Sequence, residues 1–156
     1  MKLLRVGQKG QEKPAALDKD GKIKDISSHI SDLNPDHLNF ETISKLQNAD
    51  LSSLPEISSS ERIGSCITKP GKFIAIGLNF SDHAAETGAE VPSEPITFMK
   101  ATSCINGPND DIEIVTGSKK LDWEVELGIV IGKHTKHISE AQSLSLIHIS
   151  EPTRHD

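Results

Sequence analysis

The strongest constraint on the fold is an alternation of apolar and polar side chains that begins at residue 122 and runs to residue 131 (DWEVELGIVI). Successive side chains of a β-strand point to opposite faces of a sheet, so this period predicts a strand. One face carries the apolar residues Trp123, Val125, Leu127, Ile129 and Ile131. The opposite face carries Asp122, Glu124, Glu126, Gly128 and Val130. The chain therefore needs a sheet in which this apolar face is covered.

Other segments extend the same β-rich interpretation. Further strands are predicted over residues 2–6, 15–17, 22–26, 95–100 and 111–115, and a buried strand over residues 72–77. The dipeptide Asp20-Gly21 favours a tight hairpin turn in which both residues adopt positive φ. A short helix is predicted over residues 41–47, and a second helix would begin with Ser81 as its N-cap and end at Gly88. Together these elements predict a β-rich α+β fold.

Charge and cysteine content narrow the class of protein. The 156 residues include 17 basic and 23 acidic side chains, a formal net charge of −6. Nucleic acids and anionic membranes attract basic surfaces, so neither is an expected partner. Cys66 and Cys104 are too few for a disulfide framework, and the N-terminus lacks the apolar segment of a signal peptide. We expect a cytoplasmic protein.

Glu124 and Glu126 form a candidate cation site. Two residues apart on one strand face, their Cα atoms would lie about 6.5–7 Å apart, close enough for the carboxylates to converge. Their mutual repulsion would be relieved by a divalent cation, and oxygen ligands favour Mg²⁺ or Mn²⁺, with Ca²⁺ also suitable. A solvated outer face of an amphipathic strand explains the same alternation, and the pattern alone does not separate the two interpretations.

His83 and Glu86 form a second candidate site on the predicted helix. Their i,i+3 spacing places both side chains on one helix face, and a carboxylate beside an imidazole supports its role as a base that activates water. Taken alone, this spacing is more often that of an incidental surface pair. Motifs for a serine or cysteine nucleophile and for a phosphate-binding glycine loop are absent from the sequence.

Taken together and in order, the two sites resemble a known family. Residues 73–86 (FIAIGLNFSDHAAE), 95–100 (PITFMK) and 122–133 (DWEVELGIVIGK) resemble the fumarylacetoacetate hydrolase (FAH) family. Residues 1–5 and 11–14 are similar to its bacterial branch of ureidoglycolate lyases and 2,4-diketo-3-deoxy-sugar-acid hydrolases. Phe80 departs from the family pattern, in which a tyrosine is usual, so a hydroxyl contact is lost there.

The resemblance implies a fold, a chemistry and a set of site residues. The fold is a small N-terminal domain with its linker (residues 1–60), followed by the first half of a mixed β-roll (residues 61–143). The activity is metal-dependent hydrolysis or lysis of a small oxo acid, with Mg²⁺ or Mn²⁺ held by Glu124 and Glu126. His83 and Glu86 would activate water, and Lys100 would bind substrate oxygens, although a surface lysine at a strand end is an equal alternative for Lys100.

The resemblance also implies features of the complete enzyme. Family members are usually homodimers and are considerably longer than this chain, so a further aspartate ligand of the metal would follow residue 143. We therefore expect the chain by itself to be an inactive fragment. Two alternatives stay open: an isomerase or decarboxylase of the 2-hydroxyhepta-2,4-diene-1,7-dioate type, and a non-catalytic binding protein that keeps the fold.

The last residues have a different character. Residues 144–154 (LSLIHISEPTR) resemble the translation of a sequencing-library adapter joined to a gene. We expect residues 144–156 to be a non-native tail, extended or loosely helical, without a consistent buried face. The alternative is an ordinary chain end in which Ile147 and Ile149 pack on a sheet.

Overall fold

The computed structural model describes residues 1–149 and has a strand-rich α+β fold, as predicted. Its strands are β1 (Lys2–Val6), β2 (Lys13–Leu17), β3 (Ile23–Asp25), β4 (Glu56–Ile57), β5 (Ile74–Gly77), β6 (Ile96–Met99), β7 (Ile129–Ile131) and β8 (Ile147–Ile149). Its α-helices are α1 (Phe40–Gln47), α2 (Ser81–Thr87) and α3 (Glu140–Ser143). Single 3₁₀ turns occupy Leu51–Ser53, Thr102–Cys104 and Leu144–Leu146.

Two compact units make up the chain. Of the described residues, Met1–Thr68 and 106–149 form one unit, and Lys69–Ile105 forms the other. The predicted division into residues 1–60, 61–143 and 144–156 stays a prediction. Among residues 1–149, none of the helices combines the length and the apolar character needed to cross a bilayer.

The first unit is built on a four-stranded antiparallel sheet in the order β1-β2-β3-β4. Strand β1 forms over the predicted residues. The predicted hairpin joins β2 to β3, but only Gly21 of its two central residues has a positive φ, +76°. The Asp18 side chain explains the difference, because its carboxylate accepts hydrogen bonds from the backbone N–H groups of Asp20 and Lys22 and closes a longer loop.

Helix α1 covers one face of this sheet and confirms the helix predicted over residues 41–47. The side chain of Asn39 caps its first turn by accepting a hydrogen bond from Thr42 N–H at 2.9 Å. Leu46 is buried in a cluster with Ala16, Ile26, Ile30 and Leu33. A second cluster contains Val6, Ala15 and Ile23. These two clusters are the apolar core of the first unit.

The second unit contains the antiparallel pair β5–β6, which confirms the strands predicted there, and α2. The prediction that residues 72–77 form a buried strand is wrong, since Ile74 is 53% exposed and its neighbour in register, Met99, is 59% exposed. A two-stranded sheet has two faces, and one seven-residue helix is too small to cover both. Within Lys69–Ile105, this sheet is therefore largely open.

The alternating segment forms less regular structure than predicted. Only Ile129–Ile131 of residues 122–131 is a strand, and residues 111–115 have no regular structure either. A strand needs a neighbour to satisfy its backbone N–H and C=O groups. In the described part of the chain, residues 122–128 belong to none of the three sheets, which differs from the prediction.

The end of the described chain also differs from expectation. Leu144–Leu146 forms a 3₁₀ turn with Leu146 buried, and Ile147–Ile149 pairs antiparallel with β7. The expected extended or loosely helical conformation agrees with residues 144–149, whereas the buried Leu146 and the pairing with β7, which satisfies backbone groups of that strand, differ from the expectation. The assignment of residues 144–156 as a non-native tail stays a prediction. Residues 150–156 lie outside the described part of the chain, and the resemblance to an adapter translation stays a prediction.

Candidate active site

The pair His83 and Glu86 lies on α2, as the sequence predicted. Imidazole Nδ1 of His83 is 3.9 Å from carboxylate Oε2 of Glu86, and the two side chains are 52% and 83% exposed. The buried residue of the same helix is Ala84. The helix thus turns its small residue inward and leaves both polar groups open to solvent, where a substrate and water can reach them.

Local sequence fixes the C-terminal end of α2 but not its N-terminal end. Gly88 ends the helix in the left-handed conformation, with φ +67°, as predicted. The prediction for the N-terminus is wrong by one residue: Phe80 is the N-cap and makes no side-chain cap hydrogen bond, and Ser81 is already helical. The hydroxyl of Thr87 donates to the carbonyl oxygen of His83 at 3.0 Å, which ties the last turn to the residue that carries the imidazole.

Lys100 belongs to the same unit as this pair. It directly follows β6, and its backbone N–H donates to the carbonyl oxygen of Phe73 at 2.8 Å, which extends the β5–β6 pairing by one step. The residue is half-buried. Its backbone is therefore fixed at the end of the sheet, while its role toward a substrate stays a prediction.

Glu124 and Glu126 lie in the other unit, on the irregular segment that precedes β7. Both residues are exposed, and so is Trp123 of the predicted apolar face, at 79%. Within residues 1–149, no group of three or more histidine, cysteine, aspartate or glutamate residues is arranged to hold a metal ion. The two carboxylates retain the donor chemistry that suits Mg²⁺, Mn²⁺ or Ca²⁺.

Sequence reasoning missed a charged cluster in the first unit. Arg62 forms a two-point contact with Asp110, Nε to Oδ1 at 2.7 Å and Nη2 to Oδ2 at 2.5 Å. Its Nη1 donates to Oε1 of Glu12 at 2.9 Å and to the carbonyl oxygen of Gly7 at 3.0 Å. One guanidinium therefore holds the loop that contains Asp110 against the start of the chain.

Arg5 continues the cluster on the other side of Glu12. Its Nη2 donates to Oε2 of Glu12 at 3.3 Å, and its Nε donates to Oδ1 of Asp32 at 2.6 Å. Burial opposes ionisation of Glu12, but the hydrogen bond from Arg62 and the charges of both arginines lower the pKa of this carboxyl. The hydrogen bond from Arg62 likewise lowers the pKa of Asp110.

Two glycines give this cluster its close packing. A Cβ on Gly64 would lie 2.9 Å from Cγ of Glu12, and a Cβ on Gly107 would lie 2.8 Å from the carbonyl oxygen of Ile63. A side chain at either position would push the cluster apart. The available sequence signal was Arg5, a charge between Leu4 and Val6 in the strand β1. Its partners Glu12 and Asp32 lie in other segments, so the spacing of residues does not identify them.

Comparisons with known proteins agree on one family. The profile described as Fumarylacetoacetate (FAA) hydrolase C-terminal matches residues 72–149, which include all five candidate site residues. A protein of Burkholderia ambifaria strain MC40-6, named "Putative hydrolase", is 53% identical over 147 residues, covering 94% of this chain and 52% of its own length. A Burkholderia multivorans relative shows the same identity and coverage. The chain thus spans about half the length of these relatives.

Solved structures show the same relationship. The fumarylacetoacetate hydrolase of Exiguobacterium antarcticum superposes with a TM-score of 0.71 at 27% identity, covering 94% of this chain and 52% of that one. A Mycobacterium smegmatis protein titled "putative HpcE protein" also gives a TM-score of 0.71 at 27% identity, over 92% of this chain and 51% of its own. The predicted fold class is confirmed, and this chain contains about half of the fold.

Proposed function

The chain belongs to the fumarylacetoacetate hydrolase family, and from this premise we propose that it carries part of the active site of a metal-dependent hydrolase or lyase of small oxo acids. The proposal depends on one observation, the pair of polar residues on helix α2. His83 and Glu86 lie 3.9 Å apart, exposed, within the segment that matches the family. Membership of an enzyme family whose relatives are named hydrolases supports the proposed reaction.

His83 is proposed as the general base. Neutral imidazole at this position would take a proton from the attacking water, and the carboxylate of Glu86 would orient the ring and stabilise its protonated form. The ammonium group of Lys100 would stabilise negative charge that develops on substrate oxygens. Each of these groups is placed by the same unit of the fold, at the helix α2 or at the end of β6.

Glu124 and Glu126 are proposed to hold the metal. Mg²⁺ is commonly bound by one or two carboxylates together with water, so the donor pair fits this ion. When bound, a divalent cation would supply Lewis-acid stabilisation of an enolate formed as a carbon–carbon bond breaks. The bacterial lyase branch, the homodimer and the cytoplasmic location stay proposals.

A chimera tests the assignment. Residues 1–143 of this chain would replace the matching part of the B. ambifaria relative, with fumarylacetoacetate and Mg²⁺ or Mn²⁺ as probes. We expect metal-dependent cleavage that His83→Ala lowers by about 10²–10⁴-fold and that His134→Ala, an exposed control histidine, preserves. A folded chimera that binds metal without cleaving would favour the non-catalytic alternative, and isomerisation or decarboxylation of a 2-hydroxy-diene dicarboxylate would favour the other.

A further inference from the structure

The connection between β5 and α2 contains a backbone conformation that is unusual for its residue. Leu78 has φ +49°, in the left-handed region, where the Cβ of a bulky side chain crowds the backbone. Only residues 78–80 separate Gly77, the last residue of β5, from Ser81, the first residue of α2. Leu78 is therefore the point at which the chain leaves the sheet on its way to the helix that carries His83.

Phe80, the last residue of this connection, adds no side-chain cap to the helix. Phe80 is extended, with φ −112° and ψ +127°, and caps α2 without a side-chain hydrogen bond. No glycine occurs among residues 78–80, although glycine adopts positive φ at the lowest cost. A leucine in this conformation five residues before a proposed catalytic histidine is the kind of outlier that marks a functional constraint.

We propose that the left-handed turn at Leu78 sets the direction in which α2 leaves β5 and so fixes His83 relative to β6 and Lys100. Leu78 is a positioning residue in this proposal, acting through its backbone. The importance of that geometry for catalysis rests on the proposed function. The effect of Leu78 on the direction of α2 does not rest on the proposed function, so the positioning role and the proposed function can fail separately.

Substitutions at Leu78 separate backbone conformation from side-chain packing. Asparagine and glycine adopt positive φ readily, whereas β-branched valine does so only at high cost. Leu78→Val therefore keeps an apolar side chain and opposes the turn, and Leu78→Asn removes the apolar side chain and keeps the turn. Lys69 offers a matched control, because it has φ +50° in the same unit at a position outside this connection.

The first measurement is made on the full 156-residue chain. Residual dipolar couplings of the amides of α2, referenced to those of β5 and β6, report the direction of the helix. We expect Leu78→Val to change them, and Leu78→Asn, Leu78→Gly and Lys69→Val to leave them as in the parent. A changed direction with Leu78→Asn, or an unchanged one with Leu78→Val, would overturn the proposal. Should Leu78→Val fail to fold, Leu78→Thr takes its place, because threonine is also branched at Cβ and opposes the turn in the same way.

The second measurement is the division of the effect between kcat and KM in the chimera described above. Misplacement of a catalytic group by about 1 Å costs about 100-fold in rate, so Leu78→Val should lower kcat by this order with little change in KM. Leu78→Asn should restore kcat. An active chimera whose kcat is unaffected by Leu78→Val would overturn the proposal, whereas an inactive parent chimera would count against the proposed function alone.

Discussion

Replacing Glu12 with glutamine should destabilise the first unit measurably. The Glu12 side chain is 7% exposed and receives three hydrogen bonds: from Arg62 Nη1 at 2.9 Å, Gly10 N at 3.0 Å and Arg5 Nη2 at 3.3 Å. In Glu12→Gln an NH₂ group would face some of these donors. Loss of one hydrogen bond to a charged group costs about 1.5–3 kcal/mol of unfolding free energy.

The effect of Glu12→Gln should depend on pH. The pKa of Glu12 is lowered in the folded protein, so the carboxylate stabilises the fold above the pKa of the unfolded chain, about 4.3. This contribution is complete at neutral pH and is lost as the pH falls through the lowered pKa of the folded state. The two proteins should therefore differ most near neutral pH and converge in acid.

Urea unfolding followed by far-ultraviolet circular dichroism is the suitable assay, because the single tryptophan, Trp123, is exposed and would report unfolding poorly. A loss of about 2 kcal/mol with a slope of about 2 kcal/mol per molar urea lowers the midpoint by about 1 M. Glu41→Gln is the matched control, since Glu41 pairs with Lys45 on the exposed surface of α1 and its loss should leave the midpoint unchanged. Equal midpoints for Glu12→Gln and the parent at pH 7 would refute the reasoning.

Other predictions concern the candidate site and the core. In the chimera, Glu124→Ala or Glu126→Ala should abolish metal-dependent turnover with the fold retained, and unchanged metal affinity by calorimetry in both variants would contradict their role. His83→Ala should lower kcat/KM by about 10²–10⁴-fold. Glu86→Gln should lower it by less, because the carboxylate only orients the imidazole. A parental kcat/KM in the His83 variant would remove His83 from the mechanism. Leu46→Ala should cost about 2–5 kcal/mol in urea unfolding by opening a cavity under α1, and a change within error would show that this cluster collapses around the loss.

The sequence predicted the elements whose causes are local. Helix α1 follows from its apolar spacing and its asparagine cap, and α2 ends where Gly88 permits a left-handed turn. His83 and Glu86 come together because i,i+3 spacing on a helix makes them neighbours whatever surrounds it. Their assigned roles came from the resemblance to the family and stay predictions.

Only the tertiary structure decided which alternating segments become strands and which charges become buried. Residues 2–6 and 122–131 are both typical of strands, but β1 lies beside β2 in a four-stranded sheet, whereas residues 122–128 belong to none of the sheets of the described chain. The contact between Arg62 and Glu12 joins residues 50 positions apart, a separation over which side-chain spacing carries no information. A local pattern fixes which faces a segment presents, and long-range packing determines what those faces meet, because backbone and charge partners are supplied by distant parts of the chain.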